Sequence, residues 1–158
     1  MFLVEAYMEL SSPKVLIVDD EPLVLEMFET MLRDAGYQTI TASSASQAQK
    51  CLTRESFDLI VVDVWLEDDD GFVLAQYAAK VQPKIGVVVI TGRPSDRDKD
   101  AAIALGFEYL SKPVPFEVLR AAVESKLQVN GVNLVQEGRF RQIQKFSSSC
   151  LIATLLTN

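Results

Sequence analysis

Hydrophobic positions along the chain fall into short unbroken runs and one-sided stripes. Three runs stand out: Val15-Leu16-Ile17-Val18, the stretch from Phe57 to Val62, and Val87-Val88-Val89-Ile90. Each is far too short to cross a bilayer, and none alternates with polar residues as a half-exposed strand does. Such runs read as strands buried on both faces, the habit of parallel sheets. All three end abruptly in polar groups: Asp19-Asp20-Glu21, Asp63 and Thr91.

The first strand is predicted over 14–18. After its acidic turn Pro22 suits the first turn of a helix. Val24, Met27, Phe28, Met31, Leu32 and Ala35 then recur at i, i+3, i+4, i+7, i+8 and i+11, one apolar face. Gly36 is placed to cap that helix at its C-terminus. A second strand is predicted from Tyr37 to Thr41. Ser43 or Ser44 can cap a helix over 45–54 with Ala45, Ala48 and Leu52 inward. Strand three covers 57–63. The loop after it, Val64 to Asp70, leads to Gly71 and a third helix reaching about Val81, where Pro83 breaks it. Strand four is 85–90, a fourth helix lies near 96–105 and ends at Gly106, strand five is 107–111, and a last helix spans about 115–127.

Five strands alternating with five helices require right-handed crossovers and a parallel sheet covered on both faces. The fold class is α/β, a doubly wound, flavodoxin-like (βα)5 sheet with strand order 2-1-3-4-5. That order sets strands one and three side by side at the switch point, where open sheets place their ligands. Asp19, Asp20 and Asp63 are thereby expected in one crevice.

At 158 residues the chain suits one domain with short extensions: 1–13, a domain over 14–127, and 128–158. Ser11-Ser12-Pro13 marks a loop. Residues 128–158 carry Asn130, Gly131 and Asn133, a mildly basic patch at Arg139, Arg141 and Lys145, and an apolar end; a linker, a docking helix and disorder all remain open for them. The net charge of −7 argues against nucleic-acid binding through a basic surface. With no basic n-region and no run near ~18–20 apolar residues, a soluble, cytoplasmic chain without membrane contact is expected. Cys51 reads as a packing residue on a helix, and Cys51 and Cys150 have neither metal-ligand spacing nor a disulfide framework.

The chain has no histidine, which removes histidine catalysis and any self-contained phosphohistidine step. Three converging carboxylates raise one another's pKa unless a cation compensates. Oxygen-only ligands point to a hard ion, Mg²⁺ above all, which keeps waters and completes its shell with phosphate oxygens. An Asp carboxylate can itself be the nucleophile, forming an aspartyl phosphate. Phosphoryl transfer then needs positioning and charge neutralisation, for which Thr91 offers a hydroxyl and Lys112, just after strand five, an ammonium.

Asp19-Asp20, Asp63, Thr91 and Lys112-Pro113 in this order and spacing, with Gly71 eight residues after Asp63 and the run Ala104 to Pro113, resemble the receiver domains of response regulators in two-component signalling. The likeness runs from about Lys14 to Leu127 and is to the single-domain type. It implies that Asp63 is the phosphoacceptor. It also implies that Asp20, with Asp19, Asp63 and the Trp65 backbone carbonyl, holds Mg²⁺, and that Thr91 and Lys112 contact the phosphoryl oxygens. Tyr109 is implied as the aromatic that changes rotamer with Thr91, and Lys112-Pro113 as a cis bond.

The resemblance further implies a histidine kinase or histidine phosphotransfer protein as donor and a downstream protein target. The face of helix four, strand five and helix five would be the one that switches, and would serve for homodimer pairing. At most it implies slow self-dephosphorylation, not an enzyme. A phosphorylation-independent interaction module on the same scaffold is the rival reading. A small phosphohydrolase would commonly need an Asp two residues after the nucleophile, where this chain has Trp65; a nucleotide or flavin binder would need a Gly-rich loop after strand one.

Two departures bear on the site. Where the family often has proline four residues after the acceptor, this chain has Glu67, followed by Asp68-Asp69-Asp70. That run is read as solvated charge on a freer loop, with Asp70 capping the third helix and none of it ligating metal. Trp65 is unusually large, and its ring is expected to shield a phosphoryl group or to present a partner surface.

Overall fold

The computed structural model describes residues 12–129. Its elements run β1 Lys14–Val18, α1 Pro22–Asp34, β2 Gln38–Ala42, α2 Ala45–Arg54, β3 Leu59–Asp63, α3 Gly71–Val81, β4 Gly86–Thr91, α4 Asp96–Ala104, β5 Glu108–Ser111 and α5 Phe116–Val129. All neighbouring strands are parallel, in the order β2-β1-β3-β4-β5. The predicted doubly wound arrangement is the one found.

Two-sided burial explains the unbroken apolar runs. Leu16 and Val18 of β1, Ile60 and Val62 of β3, and Val87 and Val89 of β4 face one core, with α2, α3 and Ala102 of α4 over them. The intervening Val15, Ile17, Leu59, Val61, Val88 and Ile90 face the other, beneath α1 and α5. Because successive side chains point to opposite faces, only a strand covered twice needs apolar residues at every position. The edge strands β2 and β5 are mostly half-buried.

Local chemistry sets the helix ends. Pro22 opens α1. The Ser44 side chain accepts from Gln47 N–H at the start of α2, Asp70 from Phe72 N–H at α3, and Ser95 from Asp98 N–H at α4. Gly36 and Gly106 follow α1 and α4 with φ of +92° and +73°, a left-handed turn that glycine takes without strain. Gly71 answers a different need. A Cβ there would lie 1.7 Å from the carbonyl oxygen of Asp63, so only glycine lets α3 begin against the end of β3.

Several predicted details shift. The buried line of α1 is Phe28 and Leu32, with Val24, Leu25 and Met31 packed beside it; Met27, assigned to that face, is exposed. Leu25, three residues before Phe28, takes its place, so the stripe is rotated by part of a turn. Strand three starts at Leu59, not Phe57, because the Phe57 N–H donates to the Gln82 side chain at 2.8 Å rather than to a neighbouring strand. Strand two is displaced by one residue and strand four runs on to Thr91. Cys51 packs half-buried against the first core, as predicted. Among the described residues no helix is long and apolar enough to cross a membrane. The readings of residues 1–11 and 130–158, Cys150 included, lie outside the described residues.

Candidate functional site

Four strand ends meet at the carboxyl edge of the sheet. Pairing of Val18 with Val62 and of Asp63 with Ile90 brings the tips of β1, β3 and β4 level, and Lys112 N–H donates to the Thr91 carbonyl at 2.8 Å. Each of the first three tips makes the same local turn. Asp19 Oδ1 accepts from Glu21 N–H at 2.9 Å, Asp63 Oδ1 from Trp65 N–H at 3.0 Å, and Thr91 Oγ1 from Arg93 N–H at 3.0 Å. Asx- and ST-turns of this kind fix χ1 and leave the outer oxygen, or the hydroxyl hydrogen, for other work. Thr91 is therefore an ST-turn residue, and that turn is compatible with a further bond from its hydroxyl hydrogen.

Lys112 closes the notch from β5. Its Nζ lies 2.7 Å from Asp19 Oδ2 and 2.7 Å from Asp63 Oδ2. Asp19, Asp63 and Thr91 are buried, and Asp20 is half-exposed beside them. One carboxylate oxygen from each of Asp19, Asp20 and Asp63 comes within 4.8 Å of the others, so the three could hold a metal ion together. The peptide bond Lys112-Pro113 is cis, as the resemblance implies.

The electrostatics show an unbalanced charge. Burial raises the Asp19 pKa above its ordinary value, against the lowering effects of Lys112 and the Glu21 N–H, with Asp63 adding to the rise. Burial alone would lower the Lys112 pKa; the two carboxylates outweigh it and the net shift is upward. One ammonium shared by two acids keeps its proton firmly yet leaves Asp19 under-compensated. Such a notch fits a further hard cation, and oxygen donors of this sort suit one.

Tyr109 stands apart from these bonds. Its ring packs half-buried against the first core, and its hydroxyl accepts from Ser95 N–H at 3.1 Å in the loop between β4 and α4. Trp65 is 53% exposed, and the Arg93 guanidinium lies over its ring, 5.2 Å from the centroid. Arg93 was not singled out from the sequence. The signal was present: it follows Thr91 by the two residues that separate Trp65 from Asp63.

The acidic loop needs a correction. Asp70 caps α3 as predicted, and the run supplies no member of the metal-capable group found among the described residues. Yet the loop is not free. Asp68 Oδ1 accepts from Ala45 N–H at 2.9 Å and Oδ2 from Ser46 N–H at 3.1 Å, so an exposed carboxylate is bonded across to α2. Those two bonds lower its pKa below the ordinary value.

With this geometry in place, three kinds of likeness agree. A family model described as the response regulator receiver domain matches residues 15–124. The transcriptional regulatory protein GlrR of Escherichia coli (strain K12) is 35% identical over 115 residues, 72% of this chain and 26% of that protein. The alginate biosynthesis transcriptional regulatory protein AlgB of Pseudomonas aeruginosa is 41% identical over 127 residues, 77% of this chain and 28% of that protein. The chain thus spans about a quarter of the length of these two regulators. Among solved structures, a response regulator receiver domain protein (CheY-like) from Methanospirillum hungatei JF-1 superposes with a TM-score of 0.73 at 28% identity, covering 77% of this chain and 98% of that one. The chain belongs to the response regulator receiver domain family.

Proposed function

We propose that Asp63 accepts a phosphoryl group from a phosphorylated histidine on a partner kinase or phosphotransfer protein. The observation that carries this reading is the Lys112 ammonium 2.7 Å from both Asp19 and Asp63 at the end of the sheet. A carboxylate oxygen of Asp63 attacks phosphorus, the phosphorus–nitrogen bond breaks, and the electron pair leaves with the imidazole of the donor. The donor histidine is the partner's, since this chain has none.

Asp63 is held for that attack by the Trp65 N–H on Oδ1 and Lys112 on Oδ2. Lys112 can pass from Asp63 to a phosphoryl oxygen while keeping Asp19, and the Thr91 hydroxyl hydrogen can reach another. Asp19, Asp20, Asp63 and the Trp65 backbone carbonyl are the groups assigned to hold Mg²⁺. When bound, that ion neutralises charge on the phosphoryl oxygens.

Thr91 and Tyr109 supply the response. Both hold the β4–α4 loop, Thr91 through Arg93 N–H and Tyr109 through Ser95 N–H, two residues apart. Drawing Thr91 toward a phosphoryl group moves the acceptor that holds Arg93 N–H and so biases the loop, and with it the face of α4, β5 and α5. Exposed Ile103, Leu105 and Val118 offer that face apolar contacts for a downstream protein or a second copy.

Incubation with a small phosphoryl donor and Mg²⁺ should add about 80 Da, one phosphoryl group, by intact-mass spectrometry. Asp63→Asn should take up none. An adduct that persists in Asp63→Asn, or its absence in the wild-type protein with a competent donor, overturns the assignment.

A further inference from the structure

The loop between β3 and α3 joins Asp63 to the start of α3, and four successive acids, Glu67 to Asp70, make up its second half. It stands beside a notch that already holds three carboxylates. Like charges at that range repel, so a loop of this composition should lift away from the site unless something else draws its charge. The structure has two such anchors. At its end Asp70 accepts from Phe72 N–H at 2.8 Å and starts α3. In its middle Asp68 sets one oxygen on Ala45 N–H and the other on Ser46 N–H, the first two donors of α2. Ser44 satisfies the third, Gln47 N–H, at 3.1 Å. No orphan donor among these three is left, and the positive end of α2 faces the Asp68 carboxylate.

Around the Asp68 anchor the loop folds back on itself. Trp65 and Asp70 form an antiparallel bridge, and Gly71 N–H donates to the Val64 carbonyl at 2.8 Å. Leu66 packs against the core, and Asp68 lies in the tip of this turn. The backbone of Trp65 is thus fixed by a closed turn whose outer end is tied to another helix. At the other end of α2 the Gln82 side chain donates to the Leu52 and Glu55 carbonyls, 2.9 Å each, so this ten-residue helix is held at both termini by side chains from elsewhere.

We propose that Asp68 is a positioning residue for the metal site: by bonding to α2 it holds the Asp63–Gly71 loop so that the Trp65 backbone stays in place to complete the ligand set. The proposal rests on the Mg²⁺ assignment above and deepens it. Asp68 itself ligates nothing. Its substitution is expected to weaken Mg²⁺ binding about tenfold, the low end for groups that orient metal ligands.

The test is Mg²⁺ titration of the unphosphorylated protein by calorimetry, repeated with the emission of Trp65, the single tryptophan. Asp68→Ala should raise the dissociation constant about tenfold. Asp68→Asn, which keeps one acceptor oxygen, should fall between. Two controls separate positioning from its alternatives. Ser44→Ala weakens the same helix end without touching the loop and should lower the melting temperature while leaving Mg²⁺ affinity unchanged. Glu67→Gln removes one charge from the same loop and should change affinity less than twofold. If Asp68→Ala binds Mg²⁺ as wild type does, or no more weakly than Glu67→Gln, the inference is overturned while the phosphoacceptor reading stands. If the wild-type protein binds no Mg²⁺, the reading beneath it fails as well. Should Asp68→Ala fold poorly, Asp68→Asn set against Ser44→Ala at matched melting temperature decides the matter.

Discussion

The molecule contains two acidic clusters within one loop's length of each other, and they are compensated in opposite ways. In the notch, Asp19 and Asp63 are buried and share the single ammonium of Lys112, with Asp20 close by. In the β3–α3 loop, Asp68 and Asp70 are exposed, and each is bonded to the first-turn N–H groups of a helix. The loop carboxylates stand in water at the positive ends of helices, which compensate their charge and leave them little use for an ion. The notch has three carboxylates facing one cation, so its charge remains unsettled. Acidity alone therefore does not mark a candidate metal site; burial and the crowding of like charge around one cation do.

The joint between the two regions is the place where a mutation should do most damage. Gly71 ends the loop against the carbonyl of Asp63, and a Cβ would sit 1.7 Å from that oxygen. Gly71→Ala must push apart α3 and β3, both backbone, so the cost should reach about 3 kcal/mol, the upper part of the range for overpacking. Chemical denaturation measures it. A loss below about 1 kcal/mol would mean the two clusters are not mechanically joined there.

The next largest effect should come from removing the shared cation. Lys112→Met keeps the stem and deletes the ammonium, leaving Asp19, 2% exposed in its side chain, opposite Asp63 with no positive partner. Breaking a fully buried pair costs ~3–5 kcal/mol; this notch opens to water on one side, so about 2 kcal/mol at pH 7 is expected. The loss should shrink in acid, where protonation of Asp19 removes the stranded charge. A variant as stable as wild type at pH 7, in chelator, would deny that the notch is short of positive charge.

Acid titration compares the clusters directly. Asp19 is raised above 3.8, chiefly by burial, and its contribution to stability is present below 3.8 and fades as pH rises through its shifted value. Asp68 is lowered from 3.8 by its bonds from Ala45 and Ser46, so its contribution is present above 3.8 and fades as pH falls through its shifted value. In metal-free protein the carboxyl carbon signal of Asp19 should therefore titrate at higher pH than that of Asp68. The reverse order would erase the contrast.

Much of this was readable in advance, and two of the misses share a cause. Burial of every position in β3 and β4 and of all but Lys14 in β1, the caps at Ser44 and Asp70, the glycine stops at Gly36 and Gly106, and the convergence of Asp19, Asp63 and Lys112 all follow from local period and topology. The role of Asp68 does not, because its partner Ala45 is 23 residues away and nothing in the loop itself names a distant helix end. Phe57 was assigned to β3 for the same reason: its N–H is taken by Gln82, 25 residues on. Met27 and Leu25 differ by part of a helical turn, which an apolar count does not resolve.

The smallest effect expected is at the rim, where a ring and a guanidinium join the acidic loop to the β4–α4 loop. Trp65 leaves the acidic loop and Arg93 leaves the β4–α4 loop, and the guanidinium lies 5.2 Å from the ring centroid. Their backbone N–H groups are the ones that Asp63 and Thr91 hold. At an exposed site such a contact contributes about 0.5–1 kcal/mol, so Arg93→Ala should hardly change the melting temperature. Both side chains leave turns that start at Asp63 and Thr91, so the contact is expected to hinder water from reaching a phosphoryl group on Asp63. Opening it by Arg93→Ala or Trp65→Asn should shorten the lifetime of the phosphorylated protein about two- to fivefold, the factor that 0.5–1 kcal/mol represents. The decay of the ~80 Da adduct measures it. A lifetime unchanged in both variants would assign the Trp65 ring to partner contact, and the shielding role would be withdrawn.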